Sequence, residues 1–358
     1  MNKKTILHII YNLGRGGAET LLVTVVKELT DYNNIIVTLF PQNHFKDELK
    51  CDKYYCLNLK SIFHLPFAAA ELKKITRDNN VDIVHSHLFW PTILARIGTP
   101  KTTPLITTIH TSIASSLEYK KWYIGLIDKI TYQFHKNIIV TVSKLALHEY
   151  FTLLKLKPYK TYVLYTFVDI KIFNSKKKGK QQDDTFKLVT VGALRQSKNY
   201  HYLLEAFKLL NNQKFQLDIY GEGPVRKQLE TIINDNDLNV NLKGEVKNIE
   251  TILSQYDLFV MSSTYEGFSL SVLEAMAMRM PLLLSDIKSF REQCENTAVY
   301  FDLDTVKDFT QKLKTLSSDT SLLNKLGEAA NERAVNNFTL ERHMHGLRKI
   351  YSEIVTNN

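Results

Sequence analysis

The sequence has no long hydrophobic run. None of its apolar stretches approaches the roughly 18 to 20 residues that a bilayer-spanning helix needs, and across 358 residues the composition is 44% hydrophobic and 23% charged. Membrane-spanning function classes are therefore not expected. The opening Met1-Asn2-Lys3-Lys4-Thr5 leads directly into the strand-like Ile6-Leu7-His8-Ile9-Ile10, without the apolar core and small-residue cleavage site of a secretory signal. A cytoplasmic location follows as an expectation. Cysteine is scarce: Cys51, Cys56 and Cys294 are odd in number and form no CxxC pair. That argues against a disulfide framework or a structural zinc site and suits a reducing compartment. No internal repeat of solenoid length is visible.

Acidic charge is in deficit, and only in one half. Residues 1–168 hold 21 Lys plus Arg against 12 Asp plus Glu, whereas the remainder holds 25 of each, so the whole formal charge of +9 lies in the first half. Such a field attracts anionic lipid headgroups, nucleic acid or acidic substrates. For charge alone a solvated lysine-rich face is the preferred reading, and no nucleic-acid partner is expected.

Short β-rich apolar runs alternate with longer helical patterns throughout, the signature of parallel sheet covered by helices. Strands are predicted at 35–40, 81–85, 105–109 and 137–142, then at 187–191, 216–220, 240–242, 258–261 and 282–284. Helices are predicted at 18–30, where Leu21, Leu22, Val25, Val26 and Leu29 share a face, and at 66–77. The polar run from Asn174 to Asp184 reads as an exposed linker. The expected organisation is α/β: two doubly wound Rossmann-like domains, 1–168 and 186–358, joined by a linker at 169–185, with the last helix a candidate to pack back on the first domain.

Two segments carry chemistry. Asn12-Leu13-Gly14-Arg15-Gly16-Gly17-Ala18-Glu19 ends the first strand and opens a helix, so the backbone N–H groups of Gly16 and Gly17 are placed to hold phosphate. Its spacing is not GxGxxG, and glycines in such a turn also serve positive φ. The second segment runs from Tyr256 to Met276. A buried strand precedes Glu266-Gly267-Phe268-Ser269, which places Glu266 in a loop and Glu274 inside the following helix. Each carboxylate could accept hydrogen bonds from sugar hydroxyls. Either alone could equally be an acidic residue favoured near a helix start.

This second segment resembles the signature of the family 4 (group 1) retaining glycosyltransferases of GT-B fold, in which two glutamates stand either side of seven residues and Gly-Phe follows the first. Val191-Gly192-Ala193-Leu194-Arg195-Gln196-Ser197-Lys198-Asn199 resembles that family's diphosphate loop, and Tyr220 to Pro224 and Pro281 to Asp286 resemble its neighbouring strand ends. In the first half, Gly16-Gly17-Ala18-Glu19, Val84-His85-Ser86-His87, Ile109-His110-Thr111-Ser112 and Val142-Ser143-Lys144 match in order.

The resemblance implies two domains facing across a cleft and metal-independent transfer of a hexosyl group from a UDP- or GDP-sugar, with no cofactor. It implies that Glu274 binds the donor ribose and that Glu266, Gly267, Phe268 and Ser269 bind the transferred sugar. Arg195 and Lys198, with Gly16 and Gly17, would hold the diphosphate. His110 would stand at the reacting carbon as a catalytic residue beside Glu266, and His87 on the acceptor side. Departures from the pattern are Ala193 where the family carries Arg, Arg279 where glycine is common, and Thr166-Phe167 in place of Asn-Gly.

No metal is expected. Asp302-Leu303-Asp304 has DxD spacing but falls beyond the last predicted strand, and His85 and His87 are read as alternating across a strand and so unable to share an ion. The acceptor is expected to be a saccharide or lipid-linked saccharide of a surface polysaccharide. Residues 119–130 mix lysines with aromatics at helical spacing, which suits contact with an anionic membrane and equally suits a helix packed on the sheet, the reading preferred. Three rivals remain. A phosphorylase or epimerase shares the architecture, and a non-catalytic nucleotide-sugar-binding protein shares the donor site. A dinucleotide oxidoreductase lacks both the glycine spacing and the acidic residue after the second strand.

Overall fold

The computed structural model describes residues 3–14, 16–114, 118–174, 185–210 and 214–356, so Arg15 and the polar run at 175–184 of the expected linker lie outside the described residues. The chain forms two compact units, Met1–Thr166 with Glu341–Asn358, and Phe167–Leu340.

The first unit runs β1 (Thr5–Ile10), α1 (Gly17–Glu28), β2 (Asn33–Thr38), β3 (Lys53–Cys56), α2 (Leu65–Asp78), β4 (Ile83–His87), α3 (Phe89–Gly98), β5 (Leu105–Ile109), α4 (Trp122–Tyr132), β6 (Asn137–Thr141), α5 (Lys144–Leu154) and β7 (Lys160–Val163). All seven strands are parallel in the order β3-β2-β1-β4-β5-β6-β7. Helices cover both faces, so the strands are apolar on both: β1 is buried at every residue. Leu7, Ile9, Ile35 and Val37 pack on Leu72, Ile93 and Leu94 on one side. Ile10 and Ile36 pack on Leu22 and Val26 of α1 on the other. Each such side chain contributes about 1.5–3 kcal/mol by leaving water.

One polar knot crosses this apolar packing. Arg96 of α3 is 1% exposed. Its guanidinium donates to Asp128 Oδ1 of α4 at 2.6 Å, to Tyr150 Oη of α5 at 2.8 Å and to Asn137 Oδ1 of β6 at 3.1 Å. A buried guanidinium is tolerable only with such complete partnership. The knot fixes the rotation of α4: Ile124 and Asp128 face inward, while Trp122 (81% exposed), Leu126 (48%) and Ile130 (51%) face solvent. Packing on the sheet therefore accounts for only half of the 119–130 pattern.

The second unit runs β8 (Phe186–Val191), α6 (Tyr200–Leu210), β9 (Phe215–Tyr220), α7 (Arg226–Asp235), β10 (Val240–Gly244), α8 (Ile249–Leu253), β11 (Leu258–Met261), α9 (Leu270–Ala277), β12 (Leu282–Ser285), α10 (Lys288–Cys294), β13 (Val299–Phe301), α11 (Val306–Ser318) and α12 (Thr320–Asn337). Its six parallel strands follow β10-β9-β8-β11-β12-β13. The final helix, α13 (Leu340–Thr356), lies almost wholly in the first unit, where Met344, Leu347, Ile350, Tyr351 and Ile354 are buried.

In each sheet the order reverses beside the first strand of the unit, between β1 and β4 and between β8 and β11. Such a switch point leaves a crevice at the carboxyl ends of the strands, where α/β proteins bind ligands.

Candidate functional site

At the switch point of the second unit, the loop after β8 and the loop after β11 are tied together. Ser262 Oγ donates to the carbonyls of Lys198 and Asn199 at 3.0 and 2.9 Å, and the Thr264 amide donates to Ser197 O at 2.9 Å. Lys198 ends a short 3-10 turn, and Asn199 takes the left-handed conformation, φ 52°, that turns the chain into α6. This stitching brings together two residues 68 apart in sequence: Lys198 Nζ donates to Glu266 Oε1 at 2.5 Å. Ser263 Oγ donates to the same oxygen at 2.6 Å, and Ser285 Oγ holds Ser263 from behind through its carbonyl at 2.6 Å. Neither partner of the ion pair is freely solvated, at 18% and 14% side-chain exposure.

The approach of the loops leaves no room for a side chain at two glycines. A Cβ on Gly221, at φ +141°, would strike Gly192 O, and one on Gly223 would strike Leu194 O. The backbone after β9 therefore lies directly against the Gly192–Leu194 turn, with the Gly192 amide donating to Tyr220 O and the Leu194 amide to Glu222 O, each at 2.9 Å. Arg195 is exposed on the same turn, and the neighbouring Ala193 offers no charge.

The Gly267-Phe268-Ser269 segment is held from inside. Gln293, fully buried, accepts from the Ser269 amide at 3.0 Å and donates to the Ser269 carbonyl at 2.8 Å. Phe268 is buried edge-on against Phe338, with ring centres 5.1 Å apart, so its side chain serves packing. Ser269 stands at the N-cap position of α9, its side chain making no capping hydrogen bond, and Glu274 lies one turn in. Its carboxylate has no hydrogen-bond or ion-pair partner among the described residues. Burial, with Glu250 nearby, pushes its pKa up to about 8. A carboxyl group perturbed in this way, with no such partner, is a candidate for a functional site.

In the first unit, Gly16 precedes α1 and Gly17 opens it, but the Glu19 carboxylate folds back against Gly16. An anion arriving there must share the helix end with that carboxylate. Histidines dominate the switch point instead. His8 on β1 pairs in register with His85 on β4, and His87 ends β4 beside β5. Residues two apart on a strand share a face, so the expectation that His85 and His87 alternate is corrected: their ring centres lie 4.3 Å apart. His87 Nδ1 lies 3.2 Å from Nε2 of His110, which follows β5. His343 from α13 completes the group, donating through Nδ1 to Tyr165 O at 2.8 Å. A largely apolar pocket opens beside these rings, walled by Leu21, Leu22 and Val25 of α1 and Leu347 of α13.

Burial disfavours the charged imidazolium throughout: the pKa of His8, His110 and His343 falls to about 4, and those of His85 and His87 fall well below normal. Nitrogens of His8, His85 and His87 converge within 4.8 Å. Both nitrogens of His85 are already bonded, to Tyr351 Oη and to Thr108 Oγ1, each at 2.7 Å. An ion here would have to displace one of them. At Asp302-Leu303-Asp304 the DxD spacing closes a turn in which the Asp304 amide donates to Asp302 Oδ1 at 2.8 Å.

Two family models match the chain, one described as Glycosyltransferase Family 4 over residues 15–172 and one as Glycosyl transferases group 1 over residues 171–333. The chain belongs to the family 4 (group 1) glycosyltransferases. Among similar family members is the Campylobacter jejuni N-acetylgalactosamine-N,N'-diacetylbacillosaminyl-diphospho-undecaprenol 4-alpha-N-acetylgalactosaminyltransferase, 27% identical over 349 residues, which cover 91% of this chain and 93% of that one. The Staphylococcus aureus capsular polysaccharide biosynthesis glycosyltransferase CapH is 26% identical over 302 residues, 80% and 82% of the two chains. The fold also matches Anabaena HepE crystallised with UDP-glucose, with TM-score 0.82 and 16% identity over 98% and 99% of the chains. This transferase is thus of GT-B fold, with a seven-stranded and a six-stranded parallel unit.

The sequence alone pointed to Lys198, Glu266 and Glu274 but not to Ser263, Gln293, His8 or His343. Ser and Gln are too common to carry a signal singly, and His8 sits inside an apolar strand run where a core residue is the natural reading.

Proposed function

We propose that this glycosyltransferase is a retaining, metal-independent hexosyl transferase that takes its sugar from a UDP-sugar and builds a surface polysaccharide on a lipid-linked saccharide. The observation that carries this reading is the Lys198–Glu266 pair at the β8/β11 switch point, with the unpaired Glu274 in the adjoining helix. Lys198 has three N–H donors and gives one to Glu266, which leaves two for a diphosphate. Lys198 and the exposed Arg195 offset the charge that grows on the departing nucleotide, where preorganised cations act most strongly. Glu266 and the Gly267-Phe268-Ser269 backbone take the sugar hydroxyls, and Glu274 takes the ribose hydroxyls. His110, a neutral imidazole, steadies the reacting carbon. The C–O bond to phosphate breaks as the acceptor oxygen bonds the same face, and the acceptor proton passes to a phosphate oxygen of the leaving group.

UDP is supported by the HepE complex with UDP-glucose. The lipid-linked acceptor is supported by the diphospho-undecaprenol in the name of the Campylobacter relative, and polysaccharide synthesis by the role of CapH. Thermal-shift measurements against UDP- and GDP-sugars test the donor, because a ligand bound by the folded state alone raises the melting temperature. UDP-sugars should shift it by several degrees and release UDP slowly without acceptor. A response to GDP-sugars alone would reassign the nucleotide, and silence to both would sink the reading.

No helix among the described residues is long and apolar enough to cross a membrane. Peripheral contact is favoured by the outer face of α4, where Trp122, Leu126 and Ile130 stand exposed beside Lys121 and Lys129. Aromatics and lysines on one face suit an anionic bilayer surface. The intact protein should float with phosphatidylglycerol vesicles at low salt, and Trp122→Ser with Leu126→Ser should abolish flotation. Wild-type protein left at the bottom of the gradient would remove the membrane from the picture.

A further inference from the structure

The histidines of the first unit form a chain with a direction. His110 Nε2 lies 3.2 Å from His87 Nδ1, and His87 Nε2 lies 3.5 Å from His8 Nδ1. Each contact needs one hydrogen, and a neutral imidazole carries one N–H. Two arrangements satisfy both contacts, with every proton pointing toward His8 or every proton pointing toward His110.

The far end of the chain decides between them. His8 Nε2 is buried with no other hydrogen-bond partner, and so is Asn34 Oδ1. The Asn34 side chain faces the His8 ring. The orientation of its amide is fixed, because Asn34 Nδ2 donates to Leu29 O at 2.8 Å and to Tyr32 O at 3.2 Å. Only the carbonyl oxygen, an acceptor, is left for His8. If the protons pointed toward His110, His8 Nε2 would bring a lone pair to that acceptor, setting two buried acceptors against each other. If they point toward His8, Nε2–H is turned toward the Asn34 carbonyl, donor toward acceptor, and both contacts along the chain keep their hydrogen.

We infer that His87, His8 and Asn34 are positioning residues that hold His110 as the Nε2–H tautomer, leaving its Nδ1 as a hydrogen-bond acceptor. The inference rests on the assignment of His110 to the reacting sugar. Through it the resting His110 accepts a hydrogen bond at Nδ1 and cannot donate one there. The titratable groups around it, His87, His85 and His8 from the strands and His343 from α13, are themselves held neutral by burial.

The test is two-dimensional long-range 1H–15N spectroscopy of the 15N-histidine-labelled full chain, with steady-state transfer measured on the same samples. The His110 signals should show a pyrrole-type Nε2 and a pyridine-type Nδ1. Asparagine at position 87 can present a carbonyl near the place of His87 Nδ1, so His87→Asn should keep that pattern and stay within about 5-fold of wild-type kcat. His87→Leu should lose the single tautomer and lower kcat on the order of 10- to 100-fold with the donor KM nearly unchanged. A pyrrole-type Nδ1 on wild-type His110 would overturn the inference, as would a stoichiometric metal in the purified protein. So would equal losses in the two variants with the tautomer intact. The spectrum needs no turnover, so an inactive wild type with the expected tautomer would count against the proposed reaction and not against the chain.

Discussion

Lys198→Met should lower the rate of sugar transfer on the order of 10²- to 10⁴-fold while reducing donor affinity much less. A cation aimed at charge that develops only as the diphosphate leaves acts mainly on the transition state, and removing one such group in a shielded site is worth about 3–5 kcal/mol. The ammonium here is placed by four hydrogen bonds between the two loops and ends 2.5 Å from Glu266. Lys198→Arg keeps the charge but not the reach and should recover part of the rate. Single-turnover kinetics with saturating donor check it: a kcat within 10-fold of wild type for Lys198→Met would remove Lys198 from the reaction. Glu266→Gln leaves Lys198 without its counter-charge and should change both donor affinity and rate, so the two variants together separate the sugar contact from the phosphate contact.

Glu274→Gln should weaken nucleotide binding roughly 10- to 100-fold and yet make the empty protein more heat-stable at alkaline pH. A charged acceptor contributes about 1.5–3 kcal/mol per hydrogen bond, and the amide keeps only a weaker version of it. The stability gain has the opposite origin. With a folded pKa of about 8 against about 4.3 in an unfolded chain, the carboxyl binds more protons folded than unfolded between those values. Stability from this group is therefore complete below about pH 4 and is lost as the pH rises through 8. The loss is on the order of 3 kcal/mol once partial solvent access is allowed for. Melting curves of the two proteins should coincide near pH 4 and separate by several degrees near pH 9, with the variant higher. Nucleotide affinity of the wild type should rise across pH 7 to 8.5 and that of Glu274→Gln should stay flat. Parallel pH profiles for both would show that the ribose meets some other group.

How far these residues could be seen in advance depends on how local their signals are. The strands written as uninterrupted β-branched or apolar runs, such as Leu105–Ile109 and Leu258–Met261, were legible to the residue. The short half-buried edge strands Lys53–Cys56 and Lys160–Val163, and the three-residue Val299–Phe301, were not, since lysine ends and tyrosines blur the apolar pattern. Glu266 and Glu274 stood out because one loop and one helix carry both. Their supports did not, because Ser285 reaches Ser263 and Gln293 reaches Ser269 only once β12 lies beside β11 in the parallel sheet. Arg279, at the position where the family favours glycine, adopts φ 58°. The backbone thus keeps the left-handed turn at a strain of about 1–2 kcal/mol that glycine would avoid. The histidines were misjudged by a rule of strand geometry, two residues apart being one face.

The return of α13 to the first unit makes the second unit an insertion. Its two ends lie side by side: the Val168 amide donates to Phe338 O at 2.8 Å, and the Leu340 amide donates to Val168 O at 3.2 Å. During synthesis the inserted unit holds all of its residues before the host does, so it can fold as a unit while the host still waits for its last helix. Until Leu347 and Tyr351 arrive, the histidine face of the host sheet lacks its apolar wall and His85 lacks one of its two partners. A nascent first unit thus lacks one wall of its sheet until α13 is made, whereas every strand and helix of the second unit precedes that helix in the chain.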